Sequence, residues 1–438
     1  MSNGRPVKLG AAVVAAALAL AVTGCASSQP KPEDDSNVTI NVALFGSAPP
    51  EAALADFTKE TGIKVNWTTI DWPSLQTKIS TSATANSYFA DVTDVDWSRV
   101  GQLEKLDWFY PIGDYLDTDS MKADMPQLNT FTVDGKVMGI PYDASFMVTT
   151  VNPKMLEAAD ANPAPTTIDE YTAALQKVKA SGVAEYPLGI AFAALEGLST
   201  QWYQTTAAFG GSVLDSKGAP TFTDPQSAGY KAATWMVDAL ESGLVAPGNI
   251  NANPSEVQQN MMAKGQVASV FADYAGNVGT LYDVASSSSV VGDGIEYLPT
   301  PGVDGVGPNL SNPDALGIPR TAKYPEAAAK FIKWFTSAEV QATSAGLNGQ
   351  EKAISGFFLP SSLSAIEQLI AKKALPGGEQ LMSMLKSSQP VFPGGAPSWY
   401  SQFSNAVYTN LHSAAAGDQT VEAAMKAIAS EADTLRKG

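Results

Sequence analysis

Cysteine and histidine each occur once in 438 residues. The single cysteine, Cys25, excludes any disulfide within the chain and any structural metal site built on cysteines. The single histidine, His412, is the only one a Ser-His-Asp triad could use, and no G-x-S-x-G elbow accompanies it. A lone histidine in a helical stretch reads as structural. No phosphate-cradling G-x-x-x-x-G-K-[ST] loop is present. There is no internal repeat, and no cofactor is called for. Positive charge is scarce, with 27 Lys and Arg against 44 Asp and Glu for a net charge of -17. That balance argues against nucleic acid as a partner. Long apolar runs are also lacking: the run at residues 9–22 is shorter than the ~20 residues of a comfortable membrane span. Carboxylates are abundant, so an enzyme cleaving glycans with two acids stays open, although no spacing singles out a pair.

The N-terminus reads as an address. Arg5 and Lys8 precede the alanine-rich run, and Val22-Thr23-Gly24-Cys25 comes after it. This resembles the bacterial lipobox, in which cleavage before the cysteine exposes a thiol for lipidation. Residues 1–24 are therefore expected to be a lipoprotein signal peptide, with Cys25 the lipidation site. The alternative is a plain secretory signal with an incidental cysteine. Residues 25–36, with Pro30, Pro32, Glu33, Asp34 and Asp35, read as a flexible tether.

Beyond residue 36 the chain opens strand-helix-strand: an apolar run at 38–45, a helix at 51–61 stopped by Gly62, and a strand at 63–70. That pattern points to a parallel α/β sheet, whose ligands sit off the carboxyl ends of the strands. A further strand at 90–97 ends in Asp96-Trp97. A carboxylate beside an indole suits a sugar, because the acid accepts from hydroxyls and the ring covers the apolar face. A helix-capping aspartate beside a core tryptophan is the plainer reading. Asp134-Gly135 signals a two-residue hairpin, and Asn152-Pro153 an N-cap with proline at the first helical position. Thr167 and Glu170 fit a capping box, and Ser255 is a plausible N-cap. Trp235 and Trp334 fall on apolar helix stripes and read as core, and Met261-Met262 reads as packing.

The stretch DGKVMGIPYDASFMVTTVNPKML at residues 134–156 resembles a passage of bacterial extracellular solute-binding proteins. The nearest group is the maltose-binding type that serves ABC importers of sugars and oligosaccharides. Weaker matches in the same order extend over residues 38–435. They include the Pro165-Thr166 helix, the turn at 243–247, the strand at 265–271 and Leu359-Pro360. The chain departs from the family's usual tyrosines at Met138 and Val151.

The resemblance implies an α/β, two-lobe periplasmic-binding-protein-like fold, its lobes joined by hinge crossings with the ligand cleft between them. Residues 37–145 and about 300–340 would form the first lobe, residues 146–299 and about 341–438 the second, and the hinge would lie near residues 144–148. It implies a cleft lined by Asp96, Trp97 and Asp143, with Glu196, Trp202 and Tyr274 from the second lobe, and Trp399-Tyr400, at the end of the proline-rich loop 389–399, are placed to close over it. The function implied is a monomeric, lipid-anchored receptor on the extracytoplasmic face, binding a carbohydrate and delivering it to ABC permease subunits. A non-sugar solute in the same fold, or a surface-anchored glycan-acting enzyme, remains the alternative.

Overall fold

The computed structural model describes residues 37–46, 48–282, 289–291, 294–345 and 359–437. The signal-peptide, lipidation and tether expectations at residues 1–36 lie outside the described residues.

Along the chain the sheet strands are β1 (Thr39–Leu44), β2 (Lys64–Thr69), β3 (Val92–Asp96), β4 (Ile140–Asp143), β5 (Met147–Val151), β6 (Leu188–Gly189), β7 (Ser269–Tyr274), β8 (Glu296–Leu298) and β9 (Asp314–Gly317). One sheet has the order β2-β1-β3-β9-β4 and the other β8-β5-β7-β6. β1, β2 and β3 run parallel, while β9 lies antiparallel between β3 and β4. The helices that matter below are α1 (Glu51–Thr61), α2 (Trp72–Ala85), α3 (Val100–Lys105), α4 (Ile168–Ala180), α5 (Glu196–Ala208), α6 (Ala228–Glu241), α7 (Pro325–Phe335), α8 (Tyr400–Ala415) and α9 (Val421–Leu435). The result is a two-lobe α/β fold, one sheet to each lobe.

Local chemistry explains the element ends. Gly62 closes α1 at φ 76°, donating its N–H to Thr58. Asp134 and Gly135 both take positive φ, 49° and 78°, in the hairpin joining Thr132–Val133 to Lys136–Val137, the geometry such a two-residue turn requires. Between Lys136–Val137 and β4 the strand is interrupted at Met138 and Gly139. A Cβ at Gly139 would lie 3.0 Å from the Ala315 Cβ and 3.1 Å from the Leu316 carbonyl. The glycine lets the chain pass that close to β9. Thr167 and Glu170 form the expected capping box on α4. Asn152 precedes a short helix but makes no side-chain cap. The cap placed at Ser255 belongs to Asn253, which forms a capping box with Glu256 behind Pro254.

The first sheet has a core cluster of its own, and a second cluster runs from Val95 and Ala315 of that sheet into the second lobe. In the first lobe, Phe331 and Phe335 of α7 pack with Phe57 of α1 against Val42 and Ile140. Trp334 packs on Phe57 with ring centroids 4.8 Å apart and planes tilted by 37°, as its stripe predicts. In the second lobe, Tyr171, Leu175, Phe271 and the faces of α5, α6, α8 and α9 form the main cluster. Trp235 joins it through Phe271 at 5.2 Å. Met262 is fully buried in a further cluster with Phe146 and Tyr282. His412 sits on α8 with Nδ1 2.8 Å from the Phe192 carbonyl oxygen, a structural tie.

The chain crosses between sheets twice in adjacent places, from Asp143 of β4 to Met147 of β5 and from Leu298 of β8 to Asp314 of β9. The crossings are fastened together. Gln127 Nε2 donates to the Ser145 carbonyl at 3.0 Å and to Ser311 Oγ at 2.6 Å, and Ser145 Oγ donates to Asn312 Oδ1 at 3.2 Å. Leu359 pairs with this hinge too, its N–H on Asp143 Oδ1 and its carbonyl accepting from Ala144 N–H.

Candidate functional site

The register of the first sheet gathers carboxylates at one edge. β1 and β3 pair only as far as Ala43 and Thr93, so Asp94 and Asp96 extend past the point where β1 leaves the ladder. Asp314, the first residue of β9, lies opposite Asp96 on one side and Asp143 on the other. A parallel strand end, an antiparallel strand start and a hinge strand end thus place Asp94, Asp96, Asp143 and Asp314 together. All are at least nine-tenths buried.

Their partners differ. Asp96 accepts from the Ser98 N–H at 2.9 Å, the Ser98 hydroxyl, and Arg99 Nη1 at 2.9 Å. Asp143 accepts from the Leu359 N–H at 3.1 Å. Asp94 accepts on one oxygen from Gln76 Nε2 of α2 at 2.8 Å. Its other oxygen, Asp314 Oδ1 and the Tyr142 hydroxyl find no partner among the described residues. Buried polar atoms are ordinarily satisfied, and each orphan costs free energy. Acceptors left open at a strand edge are places for a ligand's donors.

The electrostatics reflect that crowding. Burial, then Asp96, holds Asp94 well above the usual carboxylate range, with Gln76 and Arg99 opposing. Burial, then Asp94, Asp96 and Asp143, does the same to Asp314. Burial, then Asp94, also raises the Tyr142 phenol. Burial works against the Arg99 charge, but Asp96 and Glu196 together hold its pKa above the ordinary value.

Arg99 is the link to the other lobe. Its guanidinium lies 4.9 Å from the Trp72 ring centroid, a cation–π contact. Its Nη2 donates to Glu196 Oε2 at 2.7 Å, in the first turn of α5. Around this bridge, Trp97 meets Tyr400 at 5.3 Å and Phe392 at 6.1 Å, and Lys105 Nζ donates to Ser398 at 2.7 Å. Tyr274 ends β7, its phenol pushed up to about 12, chiefly by burial and also by the charges of Glu196, Asp273 and Asp314. The site is therefore bounded by the carboxylate edge of one sheet and by Glu196, Tyr274 and Tyr400 of the other lobe.

The residues expected from sequence fall into two groups. Asp96, Trp97, Asp143, Glu196 and Tyr274 come together here. Trp202 does not. It is fully buried inside the second lobe, its Nε1 donating to the Gly229 carbonyl at 2.9 Å and its ring edge-on to Phe222 at 5.0 Å. Trp399 also turns away, edge-on to Phe403 at 5.6 Å, and the ring from its loop that reaches Trp97 is the neighbouring Tyr400. The sequence reading missed Trp72, Asp94, Arg99 and Asp314. Asp94 carried a usable signal, since it alternates with Asp96 along one strand. Among the described residues, no group of three or more His, Cys, Asp or Glu is arranged to hold a metal ion.

Asp143 gives this cluster a titration signature. Burial raises its carboxyl from 3.8 to about 7, with the Leu359 N–H opposing. Between those values the folded state holds a proton that the unfolded chain releases, so stability falls as pH rises through that window. The protein is expected to melt higher at about pH 5.5 than at about pH 8, and Asp143→Asn to lose part of that difference. Calorimetric melting across pH checks this. A variant with the full wild-type pH dependence would contradict it.

The family model for bacterial extracellular solute-binding proteins matches residues 41–342. Among solved structures, maltose-bound MalE3 of T. maritima superposes with a TM-score of 0.78 at 21% identity, covering 91% of this chain and 100% of that one. A D-mannitol-bound ABC transporter solute-binding protein of Agrobacterium vitis S4 gives 0.75 at 23% identity, covering 91% and 98%. A binding protein of Brucella abortus (strain 2308) is 26% identical over 255 residues, 57% of this chain. The match spans 59% of that curated relative's length. Two sheets, a fastened double crossing and a site between the lobes agree with the family match, and the chain belongs to the bacterial extracellular solute-binding proteins.

Proposed function

We propose that this protein is the receptor of an ABC importer, tethered by a lipid on Cys25, which captures a carbohydrate between its lobes and delivers it to the permease. The observation that carries the ligand class is the set of open acceptors, Asp94 Oδ1 and Asp314 Oδ1, beside the aromatic rings of Trp72, Trp97, Tyr274 and Tyr400. Hydroxyl donors satisfy the carboxylates, while the rings shield the apolar faces of a sugar. The similar proteins with bound maltose and D-mannitol support the same class. Closure about the paired crossings brings Glu196 to Arg99 and shuts the ligand away from water. This reading is of a binding protein that turns nothing over.

A calorimetric and thermal-shift panel of mono-, di- and oligosaccharides, polyols and amino acids tests it. The expected result is saturable binding of one sugar or polyol class, with the recovered ligand chemically unchanged. A ligand at a hundredfold its dissociation constant stabilises the protein by about 2.7 kcal/mol. Binding of amino acids alone would overturn the carbohydrate assignment, and breakdown of a sugar would make the protein an enzyme.

A further inference from the structure

The charge count of the cleft is unbalanced in a way a neutral sugar does not correct. Five carboxylates border it: Asp94 and Asp96 on β3, Asp143 on β4, Asp314 on β9 and Glu196 on α5. Arg99 is the cation that pairs with them, and it is already committed, one nitrogen to Asp96 and the other to Glu196. Asp94, Asp143 and Asp314 have no ion-pair partner among the described residues. Asp314 and Asp94 each keep one oxygen open there, although each is more than nine-tenths buried. The phenols of Tyr142 and Tyr274 lie near them and that of Tyr400 lies near Glu196, and none of the three supplies positive charge.

A buried carboxylate is tolerated when it is paired with a cation or held protonated. Without a ligand, burial and the neighbouring carboxylates raise the Asp94 and Asp314 carboxyls, the direction expected of buried acids that lack a cation. A cation entering the cleft would favour their charged form and satisfy the open oxygens at once. The metal-ion route lacks the required arrangement among the described residues. A ligand ammonium, with three donors on a compact charge, suits acceptors that converge from separate strands.

We infer that the ligand is an amine-bearing carbohydrate whose ammonium sits against Asp94 and Asp314, with Asp143 at the flank. This rests on the carbohydrate-receptor reading and sharpens it. The hydroxyls and ring of the sugar use the aromatic walls, and the amine supplies the charge that Arg99 cannot.

The test is titration calorimetry of the purified protein with matched sets of probes: an amino sugar, its parent neutral sugar and its N-acetyl derivative, in gluco and galacto series, as monomers and short oligomers. A diamine without a sugar ring is included. The expected result is at least tenfold tighter binding of the amino sugar than of its neutral and N-acetyl counterparts. That preference should shrink as salt is raised, and Asp314→Asn should reduce the ratio towards one. Equal or tighter binding of the neutral or N-acetyl sugar overturns the inference and leaves the carbohydrate reading intact. Binding of the diamine with no sugar bound overturns the carbohydrate reading itself. Failure of every amino sugar to bind at millimolar concentration also overturns the inference.

Discussion

Replacing Arg99 by alanine is expected to weaken ligand binding by on the order of a hundredfold or more. The side chain is only 12% exposed and holds Asp96, which is 2% exposed, and Glu196 across the cleft. Its removal strands two carboxylates beside Asp94 and Asp314, which already lack a counter-ion. Losing one member of a buried ion pair costs about 3–5 kcal/mol, much of it from the charge left behind. In the closed form that cost falls on the lobe contact, so the open form gains population and the apparent affinity drops by that fraction. Glu196→Ala should cost less, because Glu196 is 24% exposed and Arg99 keeps Asp96. The double variant should lose less than the sum of the two single losses. Titration calorimetry on the four proteins checks this. Additive losses would show that the bridge does not couple the lobes.

The second large effect is on stability. Trp202→Ala is expected to destabilise the second lobe by about 3–5 kcal/mol, read as a lower melting temperature. The indole is fully buried against Tyr203 and Phe222, and Gly229 lets it approach. A Cβ on Gly229 would lie 3.4 Å from the indole and 2.6 Å from the Phe222 Cβ. Trp202→Phe should cost less, since a ring remains and the Gly229 carbonyl lies within α6. Affinity of the folded fraction should stay within about threefold, because a core residue distant from the ligand adds independently. A variant that keeps its melting temperature but loses binding would return Trp202 to the cleft.

These two residues also show what sequence reading reached. Asp96, Asp143, Glu196 and Tyr274 were legible because strand ends and loop starts leave local marks, and the resemblance ordered them. Asp314 was not, because it meets Asp96 only through antiparallel pairing of β9 with β3, across more than two hundred residues. Arg99 was hidden because no local motif marks it: α3 begins at Val100 and leaves Arg99 at the N-cap. Trp202 misled because α5 has no polar stripe: every residue from Leu198 to Ala208 is buried. With all sides of the helix in the core, periodicity cannot say which ring faces a ligand. The hairpin at Asp134-Gly135 and the capping box at Thr167 read correctly because φ preference and side-chain capping are local. The lobe boundaries depend on which strand joins which sheet, a non-local choice.

The most direct test of the carboxylate edge as the binding site is the affinity of Asp314→Ala for whichever solute the wild-type protein is found to bind, taken with its melting temperature. Asp314 has an open acceptor, no ion-pair partner among the described residues, and Asp94, Asp96, Asp143 and Arg99 as ionisable neighbours. Its removal should leave the unliganded protein at least as stable, while binding falls tenfold or more through loss of an acceptor worth about 1–3 kcal/mol. Unchanged affinity would place the ligand elsewhere and contradict that assignment.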